Sequence, residues 1–149
     1  MRLWHKDLIP VLPRLQLIGQ WRECCLIARN IKQKGKPGNL LVDPVMDYPI
    51  EHFISYTYLV FEEMVKRDYS VHSSSFAKYF NIPFCQTVKT DRIFRGWHSD
   101  RYFNQCIMNL QEKQDRGGID GREWFNLAMY VKEKYNFIGM KRIEYPFSK

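Results

Sequence analysis

The chain has 149 residues, 45% of them apolar and 15% aromatic, with a formal net charge of +7 and a sequence pI near 9.3. That length suits one domain with a sizeable core and leaves little room for two. No run of about 18 apolar residues occurs, so no membrane-spanning helix is expected, and His5, Lys6 and Asp7 interrupt any apolar stretch a signal peptide would need.

A basic balance says nothing about fold, but it favours polyanionic partners: nucleic acid first, an anionic membrane surface second. The expected setting is the inside of a cell. The four cysteines, Cys24, Cys25, Cys85 and Cys106, contain no C-x-x-C pair, so neither a zinc ribbon nor a thioredoxin-like site is indicated. They read as small buried apolar residues in a reducing compartment.

The first strong helix signal runs from about Pro13 to Ile31. Pro13 suits the first turn. Leu17, Trp21, Cys24, Ala28 and Ile31 recur at three and four residues and form one apolar stripe, with Arg14, Arg22, Arg29 and Lys32 mostly off it. Residues 32–49 break the pattern. Lys34-Gly35-Lys36-Pro37-Gly38 reads as a loop, and the pairs Asp43-Pro44 and Tyr48-Pro49 extend the irregular stretch.

A second helix is expected from about Ile50 to Arg67, with Phe53, Thr57, Val60, Phe61 and Met64 on one side. Ser73 to Ser75 can cap a short third helix through Phe80. The stretch from Ile82 to Trp97, which holds Pro83, is irregular. A fourth helix starts near Ser99 or Asp100, either of which can cap it. It carries Phe103, Ile107 and Leu110 on its apolar face and ends at Gly117-Gly118. Asp120-Gly-Arg-Glu123 resembles a capping box and opens a fifth helix through about Tyr135, with Trp124, Leu127, Ala128 and Val131 inward. The tail from Ile143 to Phe147 is expected to pack as an extended strap. Strand signals are few, so the class is all-α, a single domain over residues 1–149.

Four segments together resemble the pyrimidine dimer DNA glycosylase family of the phage endonuclease V type. They are the opening Met1-Arg2-Leu3-Trp4, the helical Trp21-Arg22-Glu23, the run Leu59 to Tyr69 with Lys66-Arg67 near its end, and Phe94-Arg-Gly-Trp-His-Ser-Asp-Arg-Tyr102. The resemblance implies a compact helical fold with long irregular loops. It also implies an enzyme that removes a damaged base and cleaves the strand through an imine on its N-terminal α-amine, without a cofactor.

That chemistry is physically sensible. An α-amine loses its proton near pH 7.7–8.0, against about 10.4 for a lysine side chain, so close to neutrality a useful fraction is nucleophilic. By the resemblance Met1 supplies the amine and Glu23 the carboxylate that stabilises charge on the opening sugar and moves protons. The sequence departs from the best-known members in three places. Arg2 stands where they have a small residue, which leaves Met1 in place; Trp21 replaces a tyrosine; and Asp68 replaces the glycine that usually ends the middle helix.

The implied partner is damaged or abasic duplex DNA, met by a monomer. Candidate DNA contacts are Arg2, Arg22, Lys34, Lys36, Arg95, His98 and Arg101. Each has an ordinary reading beside the functional one. Glu23 and Arg22 sit about 100° apart on a helix surface and also fit solvated charges. The segment Lys32 to Lys36 reads equally as a basic loop and as a phosphate contact. Lys89, Arg92 and Arg95 interleave with Phe94 and Trp97 in a way that suits a loop facing DNA, where an aromatic ring can wedge into an opened stack; Phe94 reads better as a core anchor. His98 can face a phosphate or be a satisfied structural histidine. As a metal site His98 and Asp100 lack a third ligand at useful spacing, and no metal is expected. His5, His52 and His72 receive no role. The competing reading is a non-catalytic, basic DNA-binding module of the same fold.

Overall fold

The computed structural model describes residues 1–80 and 86–135. Within them the chain is helical, with no strand: α1 spans Arg14–Lys34, α2 Ile50–Lys66, α3 Ser74–Ala77, α4 Asp100–Asp115 and α5 Gly121–Tyr135. Two 3-10 turns, Lys6–Val11 and Asp43–Asp47, complete the order. The expected strap at Ile143 to Phe147 lies outside the described residues, as do Pro83 and Cys85. None of the described helices is long and apolar enough to cross a membrane.

The apolar stripe of α1 goes inward: Leu17, Trp21, Cys24 and Ala28 are buried, and Ile31 packs at the core's edge. This face meets α2, whose Phe53, Tyr56, Thr57, Val60 and Met64 are buried. The short α3 packs on α1 and places Phe76 6.4 Å from Trp21 between ring centroids. The inward residues of α4 and α5 are those periodicity selects: Phe103, Ile107 and Leu110, then Trp124, Leu127, Ala128 and Val131. Cys24 and Cys106 are buried free thiols and Cys25 is half-buried. Burial pushes the thiols of Cys25 and Cys106 each up to about 11.

Several boundaries differ from the sequence expectation. Pro13 is the residue before α1 rather than inside its first turn, and the helix runs on to Lys34, where Gly35 at φ +79° closes it. Lys32 and Lys34 are therefore helical, not part of the loop. The stretch around Asp43-Pro44 is a 3-10 turn. Helix α3 stops at Ala77 and has no side-chain cap from Ser73. Ser99, not Asp100, caps α4, its hydroxyl accepting from the Tyr102 N–H. Asp120 does cap α5 through the N–H groups of Arg122 and Glu123. Glu123, however, does not close the box. Its carboxylate accepts the backbone N–H of Arg14 and so caps α1, 109 residues away in sequence.

The first twelve residues are part of the core. Leu3, Leu8, Ile9 and Leu12 are buried, and the 3-10 turn packs against α2 and α5. Such a turn leaves carbonyls without helical partners. Arg67 takes them: its guanidinium donates to the carbonyls of Leu12 at 2.7 Å, Pro10 at 3.1 Å and Ile9 at 3.3 Å, and is itself held by Glu63 at 2.8 Å. The Lys-Arg ending of the middle helix thus fixes the N-terminal segment.

Candidate active site

Residues 1–5 are stitched to the core almost atom by atom. Buried Gln20 on α1 is the central partner. Its Oε1 accepts the Trp4 N–H at 2.7 Å, and its Nε2 donates to the Arg2 carbonyl at 2.8 Å. The Tyr56 hydroxyl lies 2.6 Å from the Trp4 carbonyl and 2.9 Å from Gln20 Oε1, so its single proton serves both acceptors. From the other side the Tyr102 hydroxyl donates to the Leu3 carbonyl at 2.6 Å. Backbone groups that would be orphans in the interior are thereby satisfied.

The histidines complete the seat. His98 is buried and stacks on His5 with ring centroids 5.1 Å apart. His98 Nδ1 accepts the Lys6 N–H at 3.1 Å, His5 Nδ1 accepts the Asp7 N–H at 3.1 Å, and His5 Nε2 donates to the His98 carbonyl at 3.0 Å. Both rings are therefore neutral. Burial holds the pKa of each below the ordinary histidine value, and for His98 the nearby His5 and Lys6 add to the effect. The Lys6 ammonium is buried as well, donating to the Ile93 carbonyl at 2.6 Å.

Glu23 sits one turn on from Gln20 and half-buried. Its Oε2 accepts the backbone N–H of Arg2 at 2.9 Å, with Gln20 Nε2 3.4 Å away. Arg2 turns its guanidinium over the Trp4 indole, 5.1 Å from the ring centroid. Met1, Arg2, Trp4, Glu23 and Leu41 line one side of a cavity of about 300 Å³; Asn109, Glu112, Lys113 and Arg116 of α4 line the other. Among the described residues the Met1 amine forms no ion pair. Arg2 and Leu41 also border an adjoining groove lined by Arg101, Tyr102, Asn104 and Met108.

The predicted site residues therefore separate into groups. Met1, Arg2 and Glu23 share one cavity, with Arg101 in the groove beside it. Arg22, Lys34 and Lys36 are exposed on α1 and the loop after it and do not line that cavity. Arg95 belongs to a different surface, beside His52, Lys89 and Arg92. His98 is an interior ring, apart from the exposed cations, whose Nδ1 accepts a backbone N–H. Phe94 is fully buried, so its ring is a core anchor and cannot wedge into DNA; Trp97 is half-buried and packs against it with ring centroids 4.8 Å apart.

Sequence reasoning missed Gln20, Tyr56, Tyr102 and the α4 residues of the cavity wall. Gln20 had a signal, a polar residue in register with an apolar stripe at 17, 21 and 24. The tyrosines had none, since their partners lie 52 and 99 positions away.

A family model described as pyrimidine dimer DNA glycosylase matches residues 1–76. The chain belongs to that family. No curated protein and no solved structure matches it. The matched span contains the buried N-terminal segment, α1 with Glu23, the loop carrying Leu41, and α2 with Tyr56 and Arg67. Membership places the chain among DNA-repair glycosylases, whose partner is damaged DNA. The α4 wall of the cavity, with Lys113 and Arg116, lies beyond the matched residues.

Proposed function

We propose that this protein is a DNA glycosylase with associated abasic-site lyase activity, that it acts on damaged duplex DNA, pyrimidine dimers by family, and that Met1 and Glu23 are its catalytic residues. The observation carrying this reading is that Glu23 is hydrogen-bonded to the first peptide N–H of the chain and borders the same cavity as Met1. A carboxylate held by that N–H is one residue along the chain from the amine.

In the proposed reaction the Met1 amine adds to C1′ of the damaged nucleotide, and the glycosidic bond breaks with its electron pair leaving on the base, which takes up a proton. The amine then loses its proton and the sugar ring opens to an imine. The imine acidifies the C2′ hydrogen. Removal of that proton expels the 3′ phosphate oxygen and cuts the strand, and water hydrolyses the imine to restore the amine. Glu23 has the position to stabilise cationic sugar and to carry the proton. Arg2, Arg101 and Lys113 offer positive charge to the flanking phosphates, and Arg116 does so beside its partner Glu112. Arg22 and Lys34 on α1 and Lys36 in the loop after it would extend that contact, and Arg95 forms a separate basic patch.

Borohydride in the presence of an abasic duplex should trap a covalent adduct, and peptide mapping should place it on Met1. Lys6 is a poor competitor because its ammonium is buried against a carbonyl. An adduct on a lysine would overturn the N-terminal mechanism. Glu23→Gln should keep the fold and DNA binding while lyase turnover falls by about 100-fold or more; wild-type turnover in that variant would remove Glu23 from the chemistry. Absence of trapping with DNA binding intact would favour the non-catalytic binding module.

A further inference from the structure

Leu40 and Leu41 are 89% and 54% exposed, and Leu41 lines the cavity that holds Met1 and Glu23, with Leu40 next to it in the chain. Two neighbouring leucines in water need an explanation when the flanking chain is anchored. Here it is. Asn39 Oδ1 accepts the Leu41 N–H at 2.9 Å, and the Asn39 carbonyl accepts the N–H groups of Val42 at 3.0 Å and Asp43 at 2.9 Å. Val42 and Val45 are buried immediately after the pair. Before it, the buried Asn30 side chain donates to the Pro37 carbonyl at 2.8 Å, and Gly38 takes φ +83° to make the bend. The turn is pinned on both sides and holds the leucines outward.

The surroundings are charged for one occupant. Leu41 borders both the cavity and the groove, whose walls present Arg2, Arg101 and Lys113, with Arg116 paired to Glu112 at 2.8 Å and Glu23 as the other carboxylate, and the exposed Lys34 and Lys36 precede the turn, so cations outnumber carboxylates around it. An apolar projection flanked by cations fits the stack of a duplex, with bases at the centre and phosphates outside. A glycosylase must also bring the sugar of a stacked nucleotide to its nucleophile, which requires opening the stack.

We propose that Leu40 and Leu41 form a wedge that enters the base stack of duplex DNA beside the damaged nucleotide and holds the step open while C1′ reaches the N-terminal amine. The proposal rests on the functional reading above. It assigns to the turn the work that the fully buried Phe94 does not do.

The test is a rate ratio. Lyase turnover is measured on one abasic strand, first in a duplex and then alone, for the wild type and for the Leu40→Ser/Leu41→Ser double variant, with thermal unfolding as a fold control. A single strand has no stack to open, so any damage to the chemistry cancels in the ratio. The duplex-to-single-strand ratio should fall by about tenfold or more in the double variant, because unstacking is costly. Leu40→Met/Leu41→Met should retain the wild-type ratio. With 2-aminopurine next to the abasic site, binding of the wild type should raise fluorescence and the serine variant should not. An unchanged ratio with unchanged fluorescence would overturn the wedge. So would a dimeric wild type that the serine pair makes monomeric, since the leucines would then serve a second copy of the chain. If the wild type lacks lyase activity on both substrates, the functional reading falls, and the fluorescence response alone decides the wedge.

Discussion

Gln20 sits where the periodicity of α1 would accept an apolar side chain. Instead it joins α1 to the N-terminal segment through Trp4 N–H and the Arg2 carbonyl, beside the Glu23 carboxylate. Gln20→Ala would leave those buried groups without partners, each orphan costing about 1–3 kcal/mol. Urea unfolding should register the loss. Lyase turnover should fall too, with abasic DNA affinity changed much less, because the variant loosens the amine and not the phosphate contacts. Equal losses in turnover and affinity would mean that Gln20 merely holds the fold.

The two interior histidines give a second residue-scale expectation. Both accept a backbone N–H at Nδ1, and both have pKa values held below the ordinary value of 6.5 by burial. Above about pH 6.5 neither the folded nor the unfolded chain protonates them, and their contribution to stability is complete. As pH falls below that value the unfolded chain binds protons that the folded one refuses, so stability declines. The urea midpoint should therefore drop between pH 7.5 and pH 5.5. His98→Asn, whose side-chain carbonyl can still accept from Lys6, should flatten the slope.

At the scale of elements, the end of α2 shows how a departure from the family pattern is absorbed. Asp68 occupies the left-handed position at φ +61°, and Asp68 N–H and Tyr69 N–H reach back to the carbonyls of Val65 and Met64 at 2.9 Å each. This is the helix ending that glycine serves best. Aspartate tolerates it at some strain. Asp68→Gly should raise stability by up to about 1 kcal/mol, and Asp68→Val should lower it by about 1–2 kcal/mol. Thermal unfolding of the pair checks the sign. The same turn sets Arg67 against the 3-10 carbonyls, so the helix end and the N-terminal seat are one structure.

For the whole molecule, the charge of +7 is distributed over several surfaces. Arg2, Arg101, Lys113 and Arg116 ring the cavity and its groove, while Lys89, Arg92 and Arg95 form another patch. An interface built on several such phosphate contacts should lose affinity for duplex DNA by orders of magnitude between about 50 and 200 mM salt. Fluorescence anisotropy across that range measures it, and a flat response would exclude a phosphate-dominated interface.

The positions of α1, α2, α4 and α5 were legible in the chain because a helix writes its buried face into spacing, and Leu17, Trp21, Phe53, Val60, Phe103 and Trp124 all lie inward as periodicity requires. Glu23 was legible only through the Trp21-Arg22-Glu23 match, since an amphipathic helix by itself gives a glutamate on its flank no special standing. The first twelve residues were not legible. Their 3-10 turn has no hydrophobic period, and the groups that fix it come from Gln20, Tyr56, Arg67, His98 and Tyr102, distributed along the chain. Burial decided His98 for the same reason: solvent exposure depends on what packs over a residue, here His5, Tyr56, Phe94 and Tyr102. Local sequence determined helix type and charge, because those follow from side chains a few residues apart. Only tertiary packing brought Met1, Glu23 and Leu41 to one cavity, because that arrangement depends on contacts between distant segments that no local spacing encodes.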